Sequence, residues 1–214
     1  MDITLYYAPI TCSMVPWITL TEAGADFEAH PVNMRKRENR SPDYLRINPK
    51  HKVPALVVDG CTLTENVAIQ QWIAGTFPKA KLLPTDAWQA LQAVSLMAWF
   101  ASGIHPHLSR INSPAKYCDA DGSEDSVTHL AWGLLFEEYG LADGMLKGRD
   151  FFFDHFTAAD AYFFWCYRRA TQFGIDRGRF ANCDAHFERM KQWPSVAKLL
   201  AFEAEVQEKF KAVA

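Results

Sequence analysis

The first eighty residues alternate short apolar runs with longer amphipathic ones. Ile3–Tyr7 is β-branched and aromatic with alternating polarity, which predicts a strand. After the turn Ala8-Pro9-Ile10-Thr11-Cys12-Ser13, apolar spacing predicts a helix from Met14 to the stop signal Ala23-Gly24. Pro16 is tolerated there because it lies in the first turn. Residues 27–32 predict a second strand, so the opening is a βαβ unit with a parallel pair. Ser41-Pro42-Asp43 is an N-cap with proline at the first helical position; it starts a short helix that Asn48-Pro49 ends. Ala55–Val58 and Cys61–Leu63 flank Asp59-Gly60, a pair that tolerates φ > 0 and signals a tight hairpin. Thr64-Glu65-Asn66 then opens a helix with Val67, Ile69, Trp72 and Ile73 on its apolar face.

The alternation stops at Phe77–Pro84, whose two prolines and two lysines mark a linker over 78–84. Beyond it the spacing is helical throughout. One long helix is predicted from Asp86 to about Ile111, kinked near Pro106, which removes a backbone bond to residue 102. A second spans Gly122–Leu146, and Phe151–Phe153 is an apolar connector. Thr157 and Asp160 form a capping arrangement ahead of the almost wholly apolar Ala161–Arg169, which belongs in the middle of this half. Three short helices are expected over 180–190, 195–200 and 203–210. The pattern divides the chain into an α/β domain (1–77), a linker (78–84) and an all-helical domain (85–214).

Composition narrows the function. With 214 residues, 49% hydrophobic and 22% charged, the profile is that of a soluble globular protein. A net charge of −3 offers no basic surface for nucleic acid or an anionic membrane. Residues 87–109 lack formal charge, but Gln89, Gln92, Ser95, His105, Pro106 and His107 break any membrane span. No signal peptide is seen. The five cysteines are odd in number, scattered and without metal-ligand spacing, which suggests reduced thiols in a cytoplasm and no metal.

The stretch around Glu65 carries chemistry of its own. A helix N-terminus presents unpaired N–H groups and partial positive charge, which suits a carboxylate. Glu65 beside it offers a counter-charge for an ammonium, so an α-amino acid end satisfies both. The same residues serve equally as plain helix caps.

Three segments in order carry a family resemblance: Asn48-Pro49-Lys50-His51-Lys52-Val53-Pro54-Ala55-Leu56, Thr64-Glu65-Asn66-Val67-Ala68-Ile69 and Phe156-Thr157-Ala158-Ala159-Asp160-Ala161. With the opening unit they resemble the cytosolic glutathione transferases over essentially the whole chain. Val53-Pro54 stands in the place of the cis-proline of a thioredoxin-type domain. Leu5-Tyr6-Tyr7-Ala8-Pro9 followed by Cys12-Ser13 is most similar to the bacterial beta class, which carries a cysteine at the position of Cys12. The resemblance implies an α/β + all-α fold: a thioredoxin-like N-terminal domain that binds glutathione, then an all-helical C-terminal domain for the acceptor. It also implies a homodimeric, cytoplasmic detoxification enzyme that conjugates glutathione, its co-substrate, to small hydrophobic electrophiles. The γ-glutamyl end would meet Glu65 and Asn66, and the cysteinyl backbone would pair with Val53 beside Pro54. The glycyl carboxylate would lie near Lys36, His51 or Lys52, and His105 would face the thiol. The chain departs from the pattern in three places: Pro106 follows His105 where the beta class commonly has lysine, Asn66 replaces the usual serine or small residue, and His51-Lys52 before Val53 is closer to other classes, in which a serine aligned near Thr11 activates the thiol.

Cys12 supports two chemistries on that site. Its S–H can donate to a bound thiolate, or it can ionise and form a mixed disulfide with glutathione, making a thiol-disulfide reductase or isomerase. A small buried hydrophobe is its bland role. Thr11 and Ser13 are competing donors to the thiolate, or N-caps. A non-catalytic regulatory protein of the same fold is the remaining alternative. Trp99, Phe100, Trp165 and Tyr167 are either the lining of an acceptor pocket or core.

Overall fold

The computed structural model describes residues 1–212. They pack as two units: residues 1–85 together with those from Lys191 onward, and residues 86–190.

The first unit is built on a four-stranded sheet. Strands β1 (Ile3–Tyr7), β2 (Glu28–Pro31), β3 (Ala55–Val58) and β4 (Cys61–Thr64) lie in the order β2-β1-β3-β4. β1 runs parallel to β2 and antiparallel to β3, with Leu5 opposite both Ala29 and Leu56. The β3–β4 hairpin turns at Asp59 and Gly60, whose φ values of +46° and +81° are those the sequence signal requires. β2 is an edge strand, so Pro31 ends it without costing a central ladder bond. Helix α1 (Met14–Glu22) connects β1 to β2, and every residue from Met14 to Leu20 is buried. Such an all-round apolar helix needs cover on more than one side. α1 packs against β1, α3 (Asn66–Thr76) and α9 (Pro194–Ala212). Helix α2 (Pro42–Ile47) is capped by Ser41 Oγ, which accepts from Tyr44 N at 3.2 Å.

α9 corrects the reading of the C-terminal stretch. The short helices expected over 195–200 and 203–210 are one continuous helix. Nothing between them breaks it: Ala201 continues the helix, and Glu203, 2% exposed, is turned inward within the first unit. The stretch from Lys191, counted with the helical half on sequence, packs with the sheet unit instead.

The second unit is helical: α4 (Ala87–Trp99), α5 (His105–Asn112), α6 (Glu124–Met145), α7 (Ala158–Gln172) and α8 (Ala181–Gln192), of which the last runs past its boundary. α4 and α5 form the predicted long helix, joined by a five-residue π-helical turn, Phe100–Ile104. The widened turn lies just ahead of Pro106, where the missing N–H leaves the ladder unable to close normally. Gly103 in that turn is required by packing, since a Cβ there would lie 2.8 Å from the Trp99 ring. That ring is held by Trp99 Nε1 donating to Glu138 Oε2 at 2.5 Å. α7 is the centre of this unit, with Ala158–Tyr167 all buried. Its capping box forms as read: Asp160 Oδ2 accepts from Thr157 N and Thr157 Oγ1, both at 2.8 Å. Asp160 Oδ1 also accepts from Phe152 N at 3.0 Å and lies 3.1 Å from His186 Nε2. Asp143 of α6 accepts from the main chain of Asn182 and Cys183 at the start of α8, at 2.8 and 2.9 Å.

Asp160 therefore serves more donors than its cap, and two substitutions should separate in urea unfolding. Thr157→Ala should cost about 1 kcal/mol, the loss of a cap. Asp160→Ala strands several buried donors at about 1–3 kcal/mol each and should cost at least about 3 kcal/mol.

Candidate active site

The turn between β1 and α1 is short, half-buried and strained. Ile10 has φ +69°, unusual for a β-branched residue and worth about 1–3 kcal/mol of strain. Several groups hold it there. Ile10 N donates to Glu203 Oε2 at 2.7 Å, and Tyr7 OH donates to the same oxygen at 3.2 Å. Ser13 Oγ, fully buried, accepts from Ala8 N at 2.9 Å and lies 2.7 Å from Thr11 Oγ1. Thr11 Oγ1 donates to Ala8 O at 2.9 Å. Both hydroxyls proposed as thiolate donors are thus engaged in shaping the turn, and neither caps α1 through its side chain.

Three segments converge on Cys12. Its Sγ lies 3.6 Å from Val53 O, with the S–H donating to the carbonyl that precedes the cis Val53–Pro54 peptide. Its own carbonyl accepts from Asn66 Nδ2, the first residue of α3, at 3.0 Å. Burial pushes the Cys12 thiol up to about 12, and the Glu65 carboxylate adds to the rise. The thiol is neutral at physiological pH. A partial charge at the α1 N-terminus therefore does not produce a Cys12 thiolate, because desolvation outweighs it.

Glu65 is the N-cap of α3 by its main chain only: its carbonyl accepts from Ile69 N at 3.0 Å, and its side chain makes no capping bond. Its φ of +70° and ψ of +120° mark a second strained residue. The exposed carboxylate pairs with Lys50 Nζ, which also donates to Thr64 Oγ1. Asn66 is 6% exposed and its Oδ1 has no partner. His51, with φ +48°, and Lys52 lie on the loop before Val53. That loop is pinned from beneath: Asn39 Nδ2 donates to His51 O, and Tyr44 OH and Asn48 Nδ2 both donate to Lys52 O, at 2.6–2.7 Å.

Lys36 sits on another pinned loop. Asn33 Oδ1 accepts from the main-chain N–H of both Arg35 and Lys36 at 3.1 Å. This loop, the β1–α1 turn and the end of α9 enclose a cavity of about 360 Å³, with Ile10, Val32, Met34 and Phe210 in its wall. His105 belongs to the second unit, where its ring packs edge-on against Trp165 at 4.4 Å. In that unit Phe100, Trp165 and Tyr167 are core, and Trp99 lines a surface groove.

The residues that sequence reasoning passed over are Lys50, Asn33, Asn39, Tyr44 and Glu203. Lys50 lies inside the 48–56 motif and the next three are polar neighbours of the motifs, and nothing in their spacing marks them. Glu203 acts on Ile10 across 193 positions.

Among the described residues no group of three or more His, Cys, Asp or Glu side chains converges as a metal site. Nor, among the described residues, is any helix long and apolar enough to cross a membrane.

The family described as glutathione S-transferase, N-terminal domain, matches residues 1–75. A glutathione transferase homologue from Sulfitobacter with bound glutathione superposes with a TM-score of 0.87 at 27% identity, over 94% of this chain and 97% of that one. A bacterial beta class glutathione S-transferase from Sphingomonas chungbukensis superposes at 0.83 and 33% identity, over 94% and 98%. Glutathione S-transferase GstA of Escherichia coli O157:H7 is 31% identical over 93% of this chain and 98% of its own length, and with that relationship the chain belongs to the glutathione S-transferase family.

Proposed function

We propose that this enzyme conjugates the glutathione thiolate to small apolar electrophiles in the cytoplasm, as a detoxification reaction. The observation that carries the reading is the meeting of three segments at Cys12: the β1–α1 turn, the Val53 carbonyl and the first residue of α3. Glutathione is an extended tripeptide with an α-amino acid end. Its γ-glutamyl carboxylate suits the unpaired N–H groups at the start of α3, and its ammonium suits Glu65. Its cysteinyl main chain pairs with Val53 beside Pro54, and its glycyl carboxylate is held by Lys36, His51 or Lys52. The thiol then lies beside Cys12.

Free thiols are only a few per cent ionised at pH 7. A neutral Cys12 S–H that turns from Val53 O to the ligand's sulfur stabilises the thiolate. Lowering that pKa by two units takes about 2.7 kcal/mol of differential stabilisation. The thiolate attacks the electrophilic carbon, the C–S bond forms, and the leaving group departs with its electron pair. Thr11 and Ser13 support this by holding the turn. The 360 Å³ cavity beside the turn supplies an apolar place for the acceptor. Free thiols at all five cysteines suit a reducing compartment.

Association as a homodimer is part of the proposal. Leu130, Leu134, Leu141 and Met145 form an exposed stripe along α6, and Trp88 and Leu91 are exposed on α4. Apolar residues grouped this way mark an interaction surface. Sedimentation at micromolar concentration should give a particle of twice the 24.3 kDa chain, and Leu134→Glu should shift it towards monomer. A wild-type monomer would defeat the dimer reading.

Glu65→Ala should weaken glutathione binding by about 1–3 kcal/mol in calorimetry, the range for a charged hydrogen bond, with folding intact. Unchanged affinity would leave Glu65 with Lys50 alone.

Cys12 separates conjugation from disulfide reduction. Cys12→Ser keeps a donor, so conjugation should fall by no more than about tenfold. Any reductase activity and any glutathione adduct in intact-protein spectra should vanish, because a hydroxyl forms no mixed disulfide. In the unmodified protein the neutral Cys12 should resist iodoacetamide at pH 8 while exposed Cys61 reacts, read by peptide mapping. Loss of both activities in folded Cys12→Ser would overturn the donor role.

A further inference from the structure

The geometry points to an acceptor that is an apolar electrophile carrying a negative charge, a carboxylate or sulfonate on an aryl or alkyl body. This rests on the transferase reading of the Cys12 turn and names its substrate class. The cavity beside that turn has an apolar wall of Ile10, Val32, Met34 and Phe210. Three cations line it, Arg35, Lys36 and Lys211, and no acidic side chain does among the described residues. Lys36 is a candidate holder of glutathione's own glycyl carboxylate. Arg35 and Lys211 are in excess of what the tripeptide needs.

The placement of the cations is built rather than incidental. Asn33, 6% exposed, accepts from the N–H groups of both Arg35 and Lys36, and its own N donates to Glu38 Oε2 at 2.6 Å. The acidic groups nearby face other partners. Glu38 is turned to Asn33, and Glu203 lies under the turn with Ile10 N and Tyr7 OH. Glu208 competes, through an exposed 2.7 Å pair with Lys211, a contact weak enough to be exchanged for a ligand anion. A neutral electrophile would use the apolar wall and leave both cations to solvent.

A matched pair tests this: 4-chloro-3,5-dinitrobenzoate and its methyl ester, each corrected for its uncatalysed rate. In both, the glutathione thiolate forms a C–S bond at the ring carbon, chloride leaves with the bonding electrons, and the thiol proton goes to buffer. The acid should have the higher kcat/KM, through KM. Arg35→Gln with Lys211→Gln should reduce the acid-to-ester ratio about three- to thirtyfold, the worth of two partly exposed charge contacts. Salt at 1 M should shrink the ratio likewise, since the screening length falls to about 3 Å. Conjugation of the ester with no preference for the acid, or a ratio that the double variant leaves unchanged, overturns the inference and leaves the transferase reading standing. Displacement of 8-anilinonaphthalene-1-sulfonate gives a readout independent of turnover. If neither compound is conjugated, stronger displacement by the acid that is lost in the double variant upholds the anion site and removes the transferase reading. Equal displacement by acid and ester overturns the inference.

Discussion

A single buried carboxylate underlies the site. Glu203, 2% exposed on α9, accepts from Ile10 N and Tyr7 OH. Burying a carboxylate is costly unless its oxygens are hydrogen-bonded, and a strained turn persists only where its surroundings over-determine it. Each solves the other's difficulty: the turn supplies donors, and the carboxylate holds Ile10 at φ +69°. Ser13 and Thr11 tie the same turn to Ala8, and Asn66 ties its far end to α3. The position of the Cys12 thiol is thus set by the last helix as much as by the first.

Charge at the site follows from that enclosure. With Cys12 held neutral by burial, the turn carries no thiolate of its own. Glu65 is poised differently. It is exposed, strained and paired with Lys50, a surface ion pair worth less than about 1 kcal/mol.

Much of this was legible in the chain because it is local. The Asp59-Gly60 hairpin, the Ser41-Pro42 cap and the Thr157–Asp160 box each depend on residues at most three apart, where φ preference and side-chain reach decide the conformation. The βαβ opening followed from apolar period, whereas the roles expected of Cys12 and Val53-Pro54 came from the family resemblance. Local pattern also misled. Residues 195–200 and 203–210 looked like two helices, although nothing there breaks the backbone.

By itself, then, the sequence determined the order of elements, the turns and the residue types at the thiol site, since these rest on backbone propensity and neighbours within a few positions. The protonation of Cys12, the ion pair between Lys50 and Glu65, and the return of α9 to the sheet unit were decided only by tertiary structure. Desolvation and long-range hydrogen bonding depend on which distant groups exclude water from one another, and no spacing along the chain encodes that.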